Sequence, residues 1–370
     1  MKVTNSMQQV ALAAAVLLMA AGAPAQRGTT GVRVQTERPG MTATGSPLEG
    51  AERGSGVSGP SLGYLLDAST GDVHMVRGLA GSSVAGAAVH RRAPVRLAAI
   101  SPSRDFAVVV DDSNAVAFYA EGYSRGSAEI AVWNDAAAVT HAAVSPRGDR
   151  FALLAESTGR IALYTVRDGA PVEPRVFQAQ LPLEGVRRMA IADAGDAVFV
   201  IAGQGAGTAA VKVSADGGVR TLVTLPGAVD LALMEGSERA LLLDAAQNAL
   251  YEADFAAANP ALQLVASQAE GIDQPLAMAL SGDGRGVAVV SAANRRAVVV
   301  DLASRATREL ELSETPTGIR RMNARGVFQV TDGRSAPALL LEVQADGLRS
   351  VYVPRGDSGR SGGKRRASID

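Results

Sequence analysis

Apolar residues along this chain come in short runs separated by polar turns, and the runs return in a fixed order. SPSRDFAVVVDDSNAVAFY begins at Ser101, and SPRGDRFALLAESTGRIALY begins at Ser145, 44 residues later. ADAGDAVFVIAGQGAGTAAVKV follows from Ala192, MEGSERALLLDAAQNALYEAD from Met234, and SGDGRGVAVVSAANRRAVVVDL from Ser281. A worn copy, MNARGVFQVTDGRSAPALLLEV, starts at Met322, and a truncated one, GYLLDASTGDVHMV, precedes them all. In the truncated copy Ser69-Thr70-Gly71 matches Ser157-Thr158-Gly159, 88 residues later, or two steps of 44.

Each copy has the same internal order. An apolar strand precedes the polar turn, as in VRLAAI, VTHAAV, VRRMAI, VDLAL, PLAMAL and GIRRM. Two further strands follow, and a more variable fourth closes the unit: AEIAVWN, EPRVFQA, VRTLVTL, LQLVAS, TRELEL and LRSVYV. Short, often valine-rich runs between polar turns are strand signals. Seven such units over residues 62–353 take about 42 residues each, the period of a four-stranded propeller blade. The expected fold is therefore all-β, a seven-bladed β-propeller of four-stranded antiparallel blades. Radial stacking covers both faces of every sheet, and closing the ring leaves only short edges.

Other repeat folds fit less well. A parallel β-helix needs a shorter rung, and an α-solenoid needs helical periodicity. A β-sandwich has no need of a turn that returns at 41–47-residue intervals. Rings of six or eight blades stay open, because both end copies are degenerate. The first copy shows its second and third strands but no inner one, unless residues 53–61 supply it. The last copy closes either with its own LRSVYV or with GVRVQT, residues 31–36.

The Ser-Pro-x-Gly turn after an apolar strand, followed by two short strands, resembles bacterial exported WD40-like and YVTN-type propeller repeats. The resemblance covers about residues 62–353. It implies a ring, and a group that includes scaffolds, ligand-binding proteins and a minority of enzymes. The Trp-Asp and Gly-His pairs of eukaryotic WD40 repeats and the Tyr-Val-Thr-Asn string are absent. The likeness is one of fold.

The flanks have other tasks. Lys2, the uncharged run VALAAAVLLMAA at residues 10–21, and Ala23-Pro24-Ala25 read as a secretory signal peptide cut after Ala25. The run is short for a bilayer span, so the expected location is periplasmic or secreted, with no membrane span after cleavage. Residues 26–60 read as a flexible leader with one candidate strand at 31–36, residues 61–354 as the propeller, and residues 355–370 as a disordered basic tail. Arg355-Gly356-Asp357 and Lys364-Arg365-Arg366 in that tail read as solvated residues.

Composition narrows the chemistry. The chain has no cysteine, which excludes disulfides, thiolate nucleophiles and cysteine metal sites. A formal charge of -1 gives no reason to expect nucleic acid as a partner. Hydrophobic residues make up 47% of the chain, enough for a large core, but aromatics only 4%. The one tryptophan, Trp133, is expected between blades rather than on a glycan platform.

His74, His90 and His141 are the only histidines, and none forms an HxxH or HExxH pair, so neither a metal site nor a cofactor is expected. GRSGG at residues 359–363 matches GxSxG only in the polar tail, without the strand and helix that a nucleophile elbow needs. Ala80-Gly81-Ser82-Ser83 reads as a turn. GQGAGTAA at residues 203–210 lacks the lysine-hydroxyl pair of a phosphate loop and reads as a long hairpin loop. Asp111 and Asp112 point different ways from a strand end, and Asp111-Asp112-Ser113-Asn114 reads as a solvated hairpin turn. No catalytic residue is assigned.

The repeat itself picks out the informative positions. Four residues before each turn the inner strands carry Leu97, His141, Arg188, Asp230, Ala277 and Gly318, and Arg320-Arg321 stand close by in the worn copy. In a propeller these strands line the central channel. His141, Arg188 and Asp230 are thus candidate contacts for an anionic or zwitterionic small ligand at the channel mouth. The competing reading is a water-filled channel whose charges satisfy one another. A slip of one residue would turn these side chains into the blade stack.

The functional expectation is a non-catalytic exported propeller, a platform for binding a protein, a cell-envelope component or another ligand through loops on a rigid ring. The alternative is a hydrolase or lactonase-like enzyme with its site at the mouth of the channel. A third option is a purely structural secreted protein. Sequencing the N-terminus of the exported protein is expected to read Gln26 first. A chain still beginning at Met1 would remove the export reading.

Overall fold

Valine, leucine and phenylalanine fit a pleated surface that is covered on both sides, and the middle strands of this chain consist of little else. The computed structural model describes residues 61–354 apart from 68–70, 89–92, 103–105, 121–128, 134–136, 182–184, 323–325 and 332–336. The expected signal peptide, the candidate strand at 31–36, His90 and the basic tail lie outside the described residues.

Seven antiparallel sheets follow one another around a common axis. Blade 1 holds β1 (Ser61–Asp67), β2 (Asp72–Leu79) and β3 (Ser82–Ala88), and blade 2 holds β4 (Val95–Ile100), β5 (Phe106–Asp111), β6 (Val116–Ala120) and β7 (Glu129–Ala131). Blade 3 holds β8 (His141–Val144), β9 (Arg150–Ala155), β10 (Arg160–Arg167), the two-residue β11 (Ala170–Pro171) and β12 (Arg175–Gln178). Blade 4 is β13 (Val186–Ile191), β14 (Ala197–Gln204), β15 (Gly207–Ser214) and β16 (Val219–Leu225). Blade 5 is β17 (Ala228–Leu233), β18 (Arg239–Asp244), β19 (Ala249–Asp254) and β20 (Gln263–Ala266). Blade 6 is β21 (Pro275–Leu280), β22 (Gly286–Ser291), β23 (Arg296–Asp301) and β24 (Thr307–Glu311). Blade 7 is β25 (Arg320–Arg321), β26 (Val327–Gln329), β27 (Ala338–Val343) and β28 (Leu348–Val353).

Successive side chains of a strand point to opposite faces, and here both faces are buried. In β9, Phe151, Leu153 and Ala155 pack toward blade 2, whereas Ala152 and Leu154 pack toward blade 4. In β18, Ala240 and Leu242 face blade 4, and Leu241 and Leu243 face blade 6. Seven apolar clusters result, one between each pair of neighbours. The seventh joins Leu62, Leu65 and Val76 of blade 1 to Met322, Leu340 and Val353 of blade 7, closing the ring. Trp133 packs between blades 2 and 3 with Phe118 and Phe151, and its Nε1 donates to the Ala137 carbonyl at 2.9 Å.

The ends of the ring answer the closure question. The last blade closes with its own β28. In blade 1 the β1–β2 hairpin matches the hairpin between second and third strands elsewhere, and among the described residues no strand lies inside β1. The shared Ser-Thr-Gly string has a steric cause. Gly71 and Gly159 adopt φ values of +68° and +66°, and a Cβ at Gly159 would stand 2.2 Å from the Ala179 carbonyl oxygen. GQGAGTAA is a hairpin, but a tight one: β14 and β15 pair up to Gln204 and Gly207, leaving two residues in the turn. The expected long loop is corrected here, because the pairing runs almost to the tip.

Replacing Leu242 by alanine, at 0% exposure between blades 4 and 5, is expected to cost about 2–5 kcal/mol. Val219→Ala on the exposed outer strand β16 should change stability by less than about 0.5 kcal/mol. Urea unfolding of both variants checks this, and equal losses would contradict the two-faced stacking.

Candidate functional site

The inner strands β4, β8, β13, β17, β21 and β25 begin at one rim of the ring, here the first rim, and end at the other, the second. With Gly63, Tyr64 and Leu66 of β1 they enclose a cavity of about 460 Å³. A bulge opens four of them near the first rim: the inner strand carries one extra residue at Arg96, Arg187, Val229 and Leu276. A bulge re-aims the side chains that follow it. The candidate positions Leu97, Arg188, Asp230 and Ala277 come immediately after these bulges.

His141 and Arg188 line the cavity. Asp230 does not; it is buried, at 3% exposure. Its Oδ1 accepts the Leu231 amide at 2.9 Å and faces Arg188 Nε at 2.8 Å, while its Oδ2 accepts the Met278 amide of blade 6 at 2.9 Å. One carboxylate therefore links blades 4, 5 and 6. The structure pairs Arg188 with Asp230 and leaves His141 on the other side of Arg188.

His141 Nδ1 lies 3.0 Å from the Thr140 hydroxyl. Burial holds the His141 pKa below its ordinary 6.5; the Glu156 carboxylate and the Val186 carbonyl oppose this, and the Arg188 charge adds to it. A neutral imidazole thus stands next to a guanidinium in the channel wall. Leu97 and Ala277 on either side are partly buried and pack against blades 3 and 7. Gly318 is half-buried before β25.

Further polar groups on the first rim tie neighbouring blades together. Glu156 Oε1 accepts the Val186 amide at 2.8 Å, and the Thr208 hydroxyl accepts the Ala228 amide at 2.8 Å. Arg187 Nη1 donates to the Ala228 carbonyl at 3.2 Å. The second rim has a clamp of its own. Asp193 accepts the Arg147 amide of blade 3 at 2.8 Å and the Gly236 amide of blade 5 at 2.6 Å, holding three consecutive turns in one arrangement. Glu235 stands 3.8 Å from Arg147 Nε on the same rim.

Asp193 and Glu235 were not among the candidates from sequence. Their signal is a departure from the repeat, since both occupy the place held by proline in the Ser-Pro turns at Pro102 and Pro146. The remaining candidates have local explanations. Asp111 Oδ1 accepts the Ser113 and Ala115 amides at 2.8 and 3.0 Å within its hairpin turn. His74 Nδ1 lies 2.9 Å from the Gly86 carbonyl inside blade 1, and Ala80-Gly81 form the turn between β2 and β3. Among the described residues, no group of three or more histidines and carboxylates is placed to hold a metal ion, and no helix is long and apolar enough to cross a membrane.

No protein-family model matches the chain, and no curated protein sequence matches it. Solved structures do. A protein of unknown function from Desulfotomaculum acetoxidans is 11% identical with a TM-score of 0.56, covering 80% of this chain and 100% of that one. A putative 6-phosphogluconolactonase from Bacteroides fragilis is 13% identical with a TM-score of 0.55, covering 80% and 95%. A periplasmic gluconolactonase from Pseudomonas aeruginosa is 15% identical with a TM-score of 0.54, covering 80% and 96%. At such identities the likeness is one of fold.

The lowered pKa of His141 gives folding a pH dependence with a definite sign. As pH falls through 6.5 the unfolded chain takes up the proton first, so stability drops until the folded pKa is reached. The urea midpoint should therefore rise with pH across this window, and His141→Asn should flatten that part of the curve. Identical curves for the two proteins would show that His141 is not held neutral by its surroundings.

Proposed function

We propose that this protein is a non-catalytic, exported binding propeller whose rim loops engage a protein or a cell-envelope component. The observation that supports this is the state of Asp230. It is the one acidic candidate at the first rim, and its two oxygens are engaged by two backbone amides and Arg188. A carboxylate held in this way fixes the frame and is withdrawn from substrate. Together with the Asp193 clamp it makes a stiff ring, from which loops project at fixed positions.

A second reading has its own observation. His141 lines the channel with its pKa lowered and Arg188 beside it, a base next to a cation of the kind that hydrolysis of an ester-like bond uses. The lactonase names of two structures with the same fold point the same way. The two readings separate in one assay. The purified protein, incubated with aldonolactones, is expected to open them no faster than buffer, with His141→Asn indistinguishable from the parent. Turnover well above the spontaneous rate, lost in His141→Asn, would overturn the binding reading and establish the hydrolase.

A further inference from the structure

The inner strands present nearly the same side chains to the channel in blade after blade. Third in register from the position of Leu97 stands Ala99, and its counterparts are Ala143, Ala190, Ala232 and Ala279. The next residue is aliphatic in all five blades, as at Ile100 and Leu280. In blade 7 the same two places hold Arg320 and Arg321. Two guanidinium groups thus stand, at the second rim, in register positions that are alanine and aliphatic in those five blades.

Among the described residues the charges of the cavity do not balance. Its lining there includes Arg187, Arg188, Arg320 and Arg321 against one carboxylate, Glu235. Arg187 and Arg188 are engaged at the first rim by the Ala228 carbonyl and by Asp230. Arg321 is half-buried and has no hydrogen bond among the described residues. Burial pulls its pKa below the ordinary guanidinium value and Glu235 pulls it back, yet a guanidinium stays charged at neutral pH. Glu235 is itself drawn toward Arg147, 3.8 Å away. Among the described residues, a partly desolvated cation is thus left with a share of one carboxylate for its five donors.

We propose that the second mouth of the channel is a binding site for a small organic anion bearing a carboxylate or phosphate group, held by Arg321 with Arg320 beside it. The planar fork of a guanidinium accepts either acid in a two-point contact. Low-dielectric walls concentrate the positive field along the channel and draw anions into it. A volume of about 460 Å³ is the size of a small-ligand site. Glu235 competes with the ligand for Arg321, so ligand binding releases that carboxylate to Arg147. The site does not depend on the rim reading: a partner on the loops and an anion in the channel can each be present without the other.

Calorimetric titration of the purified full chain at low ionic strength tests this, with citrate and inorganic phosphate as probes. At least one probe is expected to bind saturably and to weaken as sodium chloride is added. Arg321→Met should weaken it at least tenfold, while the thermal unfolding curve keeps its midpoint. Glu235→Gln should tighten it several-fold, and this variant decides the question should Arg321→Met fail to fold. Arg308→Met, on the outer strand β24, should leave affinity unchanged. Absence of saturable binding for both probes overturns the proposal, as does an affinity indifferent to both Arg321→Met and Glu235→Gln.

Discussion

A sheet whose middle strands are apolar on both faces is not stable alone, because each face must be removed from water by something else. In this chain β5, β9, β14, β18 and β22 all have that character. The demand passes from blade to blade until the last face finds the first. Blade 7 buries its outer face against Leu62, Leu65 and Val76 of blade 1, and no face remains. Burying each large side chain contributes about 1.5–3 kcal/mol relative to exposure, repeated over seven interfaces. The ring follows from this two-sidedness, and the central channel follows from the ring.

Apolar stacking has little directional preference, so it leaves the relative tilt and height of neighbouring blades loosely set. Hydrogen bonds supply the missing direction. Asp230 holds blades 4, 5 and 6 at the first rim, and Asp193 holds blades 3, 4 and 5 at the second. The two clamps overlap in blades 4 and 5, so that sector is pinned at both ends. A buried carboxylate is tolerated there because backbone amides replace its lost hydration. The polar groups that look functional in the sequence are in this sector largely the frame.

How far the sequence could be read has the same physical basis. The blades were legible because strands buried on both faces are continuous apolar runs, and a run followed by a turn recurs whenever a blade recurs. Ser-Thr-Gly at residues 69–71 and 157–159 was legible because only glycine meets the close approach at the hairpin. Which way Asp230 faces was not legible. A bulge precedes Asp230 and Arg188 alike, so register does not separate them; the short carboxylate turns to the Leu231 and Met278 amides, partners that only the folded ring brings to it. His141 and Arg188 reach the channel, whereas Asp230, at the same register position, is held between blades. Asp193 and Glu235 stood in plain view but in the place of a turn proline, where a polar residue reads as solvated.

The channel is where repetition and its interruption meet. Small residues are needed where the inner strands converge, and alanine in five blades meets that need. Alanine at that position carries no charge and has nothing with which to choose a ligand. Arginine in the same place adds length, charge and a desolvation cost that no stacking requirement explains. The worn copy at Met322 is thus worn in a particular way: its inner strand keeps only two residues, and both are arginine. In a ring built from near-identical units, the unit that departs from the pattern while still closing the ring is free to carry the specificity. Blade 7 meets both conditions, since β25 brings the guanidinium groups to the cavity and β28 completes the sheet.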